Sequence, residues 1–252
     1  MLKLKSYQLG LLALLLVVFY SCNSEEEVAP EEEDPIAALA FNAQNPPVQL
    51  PTAIQNSSNQ YAAQVNSFAA LANAMAGYST YFEVPEGAEF STTPIDAANS
   101  RIAADVRVYT WTFNDGTTSI SYAYQLSEDD TDYVYEIFYK FNEDGFYKLL
   151  EGRESKNELV EGSLKWFGLD ESNAIIYSYT WKEFANGAFN LIFEGFTQRL
   201  VFDIAIDGSG VIEVFEDGVI SGKYTWNADG TAGTFTSYTD GVETDSINWT
   251  TE

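Results

Sequence analysis

The stretch DYVYEIFYKFNEDG, residues 132–145, decides how the rest of the chain is read. Tyr133, Tyr135, Ile137, Tyr139 and Phe141 recur at every second position, so an extended chain puts them on one face. β-Branched and aromatic side chains of this kind suit a pleated, half-buried surface. Asp144-Gly145 then supplies a turn pair.

The same pattern repeats downstream. Ile175, Tyr177, Tyr179 and Trp181 form a second period-two run, and Leu200, Phe202, Ile204 and Ile206 a third. Turn pairs stand at Asn114-Asp115-Gly116, Asn186-Gly187, Asp207-Gly208, Asp217-Gly218, Asp229-Gly230 and Asp240-Gly241. Hairpin turns need positive φ, which Gly, Asn and Asp accept. Over residues 105–250 this spacing predicts a mainly β fold, an antiparallel up-and-down meander of about ten to twelve strands. Such a meander closes into a barrel or bends into a strongly curved sheet, which limits its exposed edges. A two-sheet β-sandwich is the alternative.

Tyr109-Thr110-Trp111, Tyr179-Thr180-Trp181 and Tyr224-Thr225-Trp226 each stand shortly before a glycine turn. Their spacing is unequal, so they are not a propeller or solenoid repeat. They read as one hairpin solution used three times, with aromatics on one face and threonine on the other.

Upstream of the meander, one helix is expected over residues 51–77, packed on the sheet. Tyr61, Val65, Phe68, Ala72 and Met75 make an apolar stripe at spacings of four and three. Ser57 and Gln60 have capping-box form, and Gly77 is a stop signal. Residues 83–104, with Pro85, Gly87 and Pro94, read as irregular.

The N-terminus carries an anchor signal. Lys3 and Lys5 precede the uncharged apolar run Leu9–Phe19, which is shorter than the roughly 20 residues a bilayer span needs. Ser21 and the only cysteine, Cys22, follow. Glu25, Glu26 and Glu27 come next, then Glu31–Asp34, in a segment with Pro30, Pro35, Pro46 and Pro47. The expected organisation is a lipoprotein signal peptide over 1–21, an acidic, proline-containing tether over 22–50 and a single domain over 51–252. Ile36–Phe41 is an apolar island in the tether that could dock on the domain.

The Ser21-Cys22 junction resembles a bacterial lipobox, in which the cysteine is lipidated and becomes the first mature residue. Phe19 and Tyr20 are bulkier than the usual residues upstream of it. The acidic cluster after Cys22 resembles the surface-export signal of Bacteroidota-type lipoproteins. The chain as a whole resembles outer-membrane lipoproteins of that type with a β-rich domain. What the resemblance implies is a lipid anchor on Cys22, export through Glu25, Glu26 and Glu27, and a location on the outer membrane facing the cell exterior. Asp245-Ser246-Ile247 resembles a short O-glycosylation acceptor of the same bacteria, with Ser246 as the modified residue.

Charge and composition exclude several functions. The chain has 12 basic and 38 acidic residues, a net charge of −26, and signal removal takes two lysines away. Such a chain does not bind nucleic acid or an anionic surface by charge. It has no histidine, which removes His-based triads, bases and zinc sites. Lipid on Cys22 removes thiolate chemistry and disulfides, and no phosphate-binding or dinucleotide motif is present. No cofactor is expected.

What remains is carboxylates and aromatics. Glu136, Glu194, Asp203 and Glu213 are the strand carboxylates from which a glycoside hydrolase would draw its acid pair. Glu128, Asp129, Asp130 and Asp132 gather hard oxygen ligands in one loop, though not in EF-hand order, and as a metal site they are weak beside a solvated turn. Aromatics make up 15% of the chain. Trp111, Trp181 and Trp226 are the candidates for ligand binding. The leading expectation is a non-catalytic, surface-exposed binding module for a glycan, peptide or partner protein. A structural or assembly lipoprotein of the outer membrane comes next, and a carboxylate-dependent hydrolase third. An internal cavity lined by Tyr and Trp would favour a small ligand. A filled core with an exposed aromatic patch would favour a partner protein.

Overall fold

Thirteen antiparallel strands form one sheet in chain order, each paired with its sequence neighbours. They are β1 (Glu89–Ser91), β2 (Arg107–Asn114), β3 (Ser119–Glu128), β4 (Asp132–Phe141), β5 (Tyr147–Ser155), β6 (Glu161–Phe167), β7 (Ile175–Glu183), β8 (Phe189–Gly195), β9 (Gln198–Ile204), β10 (Gly210–Glu216), β11 (Val219–Trp226), β12 (Ala232–Thr239) and β13 (Val242–Thr250). The computed structural model describes residues 41, 48–95, 106–114, 116–142, 144–156, 161–169 and 173–251. All belong to the unit Ala40–Glu252. Cys22, Glu25, Glu26, Glu27 and the expected signal peptide lie outside the described residues.

The fold is therefore the expected mainly β meander, as one open sheet rather than a sandwich, and among the described residues no pairing joins β1 to β13. The strand missed upstream is β1. Its three residues lie between Pro85, Gly87 and Pro94, too short a run to show a period. The turn residues act as expected. Asp217-Gly218 and Asp240-Gly241 have positive φ at both positions, the two-residue hairpin geometry. Near Gly145 the positive φ falls on Asn142 instead.

One face of the sheet is covered by helices. α1 (Thr52–Gln55) is followed by a break, then α2 (Gln60–Ala76), which continues into a 3-10 helix over Gly77–Phe82. The single expected helix is thus interrupted. Asn59, not Ser57, caps α2, its side chain accepting from the Tyr61 N–H. The Ser57 hydroxyl accepts from the Asn59 N–H and donates to the Thr251 carbonyl, tying the break to the end of β13. Gly77 has right-handed helical φ, so it tightens the chain into the 3-10 turn instead of ending it.

The buried face of α2 is Ala62, Val65, Ala69, Ala72 and Ala76. It is rotated from the expected stripe, of which Val65 and Ala72 remain. Alanines let the helix backbone approach the strands, and the larger side chains splay to its flanks. Tyr61 stacks on Phe235 of β12, Phe68 meets Tyr224 of β11, Tyr78 meets Trp166 of β6, and Phe82 meets Tyr124 of β3 and Tyr135 of β4. The helical segment therefore crosses the sheet from β12 to β3. The packed region also begins earlier than Pro51. Val48 and Leu50 are buried, and Val48 exchanges two main-chain hydrogen bonds with the Asn73 amide. Phe41 is buried as well.

Phe41 reports the curvature. Its ring lies 5.0 Å from Tyr135 of β4 and 5.9 Å from Trp181 of β7. Strands three apart stand about 14 Å from each other in a flat sheet. Side chains that converge on one ring between them require this face to be concave.

Glycines opposite aromatics hold the bend. Gly162 faces Trp181, Gly210 faces Trp226, Gly233 faces Trp249 and Gly195 faces Tyr177 across their ladders. In each pair the ring lies where a Cβ on the glycine would sit, and Phe41 covers Gly152 in the same way. An aromatic over a strand glycine shields backbone that would otherwise be bare while the glycine gives the ring room.

Candidate functional site

The three tryptophans singled out by the sequence separate. Trp181 and Trp226 are 2% and 4% exposed and belong to the core. The Trp226 indole also donates to the Gly208 carbonyl at 2.9 Å. Their place over glycine accounts for two of the three Tyr-Thr-Trp triplets as packing. Trp111 has no such glycine. It is half-buried, stacks on Tyr122 at 5.9 Å, and stands beside Phe113, which is 62% exposed.

Trp111 belongs to a row. Strands of a meander alternate in direction, so one end of the sheet gathers the turns at 114–119, 141–147, 195–198, 216–219 and 239–242. On the concave face at this end lie two ring triads, Trp111–Tyr122–Phe113 and Phe141–Tyr139–Tyr147, with contacts of 5.6–6.1 Å inside each, on neighbouring strands where Tyr122 pairs with Tyr139. Further along the same end come Tyr177 and Phe196, 5.2 Å apart. Phe196 is 80% exposed and has φ 47°, a strained conformation for a bulky side chain. Ile175, Val219 and Val242 extend the exposed apolar rim. The sequence signal for it was present, as apolar residues placed beside turn pairs, but only the alternation of strands shows that these turns share an end.

The carboxylates proposed for hydrolysis all lie on the convex face and each has a cross-strand partner. Glu194 pairs with Arg199 at 3.0 Å, Glu213 with Lys223 at 3.0 Å, and Asp203 accepts from Asn190 at 2.7 Å. Glu136 is buried, pairs with Lys148 and accepts from Gln125, both at 2.6 Å. Lys148 also pairs with Glu151 at 3.0 Å, and Arg153 and Lys165 approach the same carboxylate. Burial alone would raise the Glu151 pKa, but Lys148, then Lys165 and Arg153, outweigh it and hold it down to about 2. The two acids that share a lysine are thus matched by cations. Burial, aided by Glu154 for Tyr135, pushes the phenols of Tyr124, Tyr135 and Tyr179 above their ordinary range. None of them is a phenolate nucleophile at neutral pH.

The acidic loop is likewise occupied by its own turn. Asp129 accepts from the Thr131 and Asp132 N–H groups and pairs with Arg153 at 2.7 Å. Asp132 also approaches Arg153, and Glu128 pairs with Lys156 at 3.1 Å. Burial opposes the shift, but these backbone bonds and Arg153 hold the Asp129 carboxyl to about 2. Asp130 is exposed on the same turn. Among the described residues no three such side chains are arranged to hold a metal ion, and Glu128, Asp129, Asp130 and Asp132 read as turn and ion-pair residues. Ser246 is exposed on edge strand β13. No helix among the described residues is long and apolar enough to cross a membrane.

No protein-family model and no curated protein matches the chain.

Proposed function

We propose that the protein is a lipid-anchored, non-catalytic binding module, held through Cys22 on the outer membrane and facing outward, whose aromatic sheet end engages a partner protein. The observation that carries this is the contrast between the two ends of the concave face. One end is filled by tryptophan on glycine, while the other leaves Trp111, Phe113, Phe141 and Phe196 partly or largely open. Exposed aromatics in a contiguous row mark interaction surfaces, because soluble proteins otherwise bury such area. An open aromatic patch favours a macromolecular partner over a small enclosed ligand. The engaged carboxylates of the convex face support the absence of turnover.

Two experiments test this reading. Cys22→Ala should leave precursor or release soluble protein on cell fractionation, and a mature wild-type mass without acyl chains refutes the anchor. Replacing Phe113 and Phe196 by serine should abolish binding on peptide and glycan arrays while leaving the melting temperature within a few degrees. Unchanged binding refutes the assignment of the surface.

A further inference from the structure

Among the described residues, the edge of β2 next to Trp111 has no strand beside it over half its length. β1 pairs only with Val108, Tyr109 and Thr110, through Ser91, Phe90 and Glu89. Beyond Thr110 the β1 chain turns away through Pro85–Ala88, where Gly87 takes a φ of 85° and the Ala88 N–H bonds to Pro85. A depression of about 370 Å³ lies between this turn and β2. It is lined by Thr110, Trp111, Thr112 and Phe113 together with Pro85–Gly87 and Glu89. Successive strand residues point to opposite faces. A hollow lined by four in a row therefore lies off the edge of the strand, in the track that β1 would follow if it continued.

The direction of the main chain there follows from the ladder. The Asn142 N–H donates to the Ser119 carbonyl at 2.8 Å, so the Ser119 main chain faces β4. Alternation then turns Ile120 toward β2, and its partner Phe113 toward β3. Thr112, next to it, turns its N–H and carbonyl to the open edge. Trp111 and Phe113 flank this pair on the concave face, and Tyr122 backs the indole. Glu86 lies in the turn and Glu89 begins β1, both lining the hollow, and residues 22–100 contain no Lys or Arg. Arg107 of β2 is about 17 Å from Thr112 along the strand, and Lys140 of β4 lies two strands across from Thr112, about 10 Å away on the far side from the edge.

We propose that this edge is a strand-addition site for an extended segment of a partner protein, one carrying Lys or Arg between apolar residues. The partner main chain pairs with Thr112, its apolar side chains lie against Trp111 and Phe113, and its cations face Glu86 and Glu89. Strand addition takes affinity from main-chain bonds and specificity from alternate side chains. Among the described residues the other edge strand, β13, carries Glu243 and Asp245 and has no pair of half-open aromatics like Trp111 and Phe113. This inference rests on the proposed binding role and specifies how it is met.

The test uses the mature full chain and fluorescently labelled ten-residue peptides that alternate Val or Tyr with either Lys or Glu. The Lys series should bind at least tenfold more tightly than the Glu series. N-methylation of every second peptide amide should abolish binding in one phase and spare it in the other. Thr112→Pro, which removes an outward N–H from an edge strand, should abolish binding and leave the melting temperature near wild type. Should that variant unfold, the N-methylated peptides decide alone. Equal binding of both methylation phases, or of the Lys and Glu series, overturns strand addition. So does binding by folded Thr112→Pro, which would point to β13. Binding of chitohexaose or xylohexaose alone, lost in Trp111→Ala, would overturn strand addition while keeping the binding module. No binding of peptide or glycan would overturn both.

Discussion

Gly162→Ala tests the device that holds the concave face. Gly162 of β6 pairs with Trp181 of β7 and with Glu154 of β5. A Cβ at this position would meet both the Trp181 ring and the Arg153 carbonyl oxygen well inside contact distance. The ring can move, but it is 2% exposed and held between Tyr179 and Phe41. The carbonyl can move only with the β5–β6 ladder. Overpacking in a core costs about 1–3 kcal/mol. The main-chain clash places Gly162→Ala at the upper end, about 2–3 kcal/mol. Trp181→Ala should cost about 3–5 kcal/mol through lost burial and the cavity left behind. In the double variant one of the two clashes is gone, so the costs should fall short of additive by about 1–2 kcal/mol. Urea denaturation followed by circular dichroism measures all three. A Gly162→Ala cost below about 0.5 kcal/mol, or strict additivity, would refute the placement of the indole over the glycine.

Three further outcomes follow from the same packing. Phe68→Ala should cost about 1–2 kcal/mol rather than the 3–5 of a fully buried phenylalanine, because Phe68 lies half-buried on the flank of α2; a denaturation midpoint reports it. Gly77→Ala should stabilise by about 0.4–1 kcal/mol, since Gly77 has φ −59° and open space at its Cβ position; a lowered melting temperature would contradict this. Glu151 titrates near 2 in the folded chain against 4.5 unfolded, so its contribution is present above pH 4.5 and fades as pH falls toward 2. Between pH 6 and pH 3 that loss is on the order of 2 kcal/mol. It should be missing in Glu151→Gln, compared by denaturation at both pH values.

The β-meander was legible because its signals are local. Period-two runs such as Tyr133–Phe141, closed by Asn-Gly and Asp-Gly pairs, need no distant partner to be recognised. The triplets were read correctly as far as their faces, with Thr180 and Thr225 on the convex side and their aromatics on the concave side. The lack of histidine and the charge of −26 bound the chemistry without any coordinates.

What the sequence left open depends on register and on three-dimensional neighbours. Trp111, Trp181 and Trp226 sit in the same triplet, yet only the strand across the ladder decides whether a glycine accepts the ring and buries it. The α2 stripe was misplaced because hydrophobicity favoured Tyr61, Phe68 and Met75, whereas close approach to a curved sheet favours Ala62, Ala69 and Ala76. Ser57 carries a capping pattern, but a hydrogen bond to Thr251, distant in sequence, diverts it. Glu136 and Asp129 looked like free acids until Lys148 and Arg153 came beside them. The local pattern determined that there is a meander and where it turns. Tertiary packing decided which aromatics are core, which carboxylates are neutralised, and which edge of the sheet stays open.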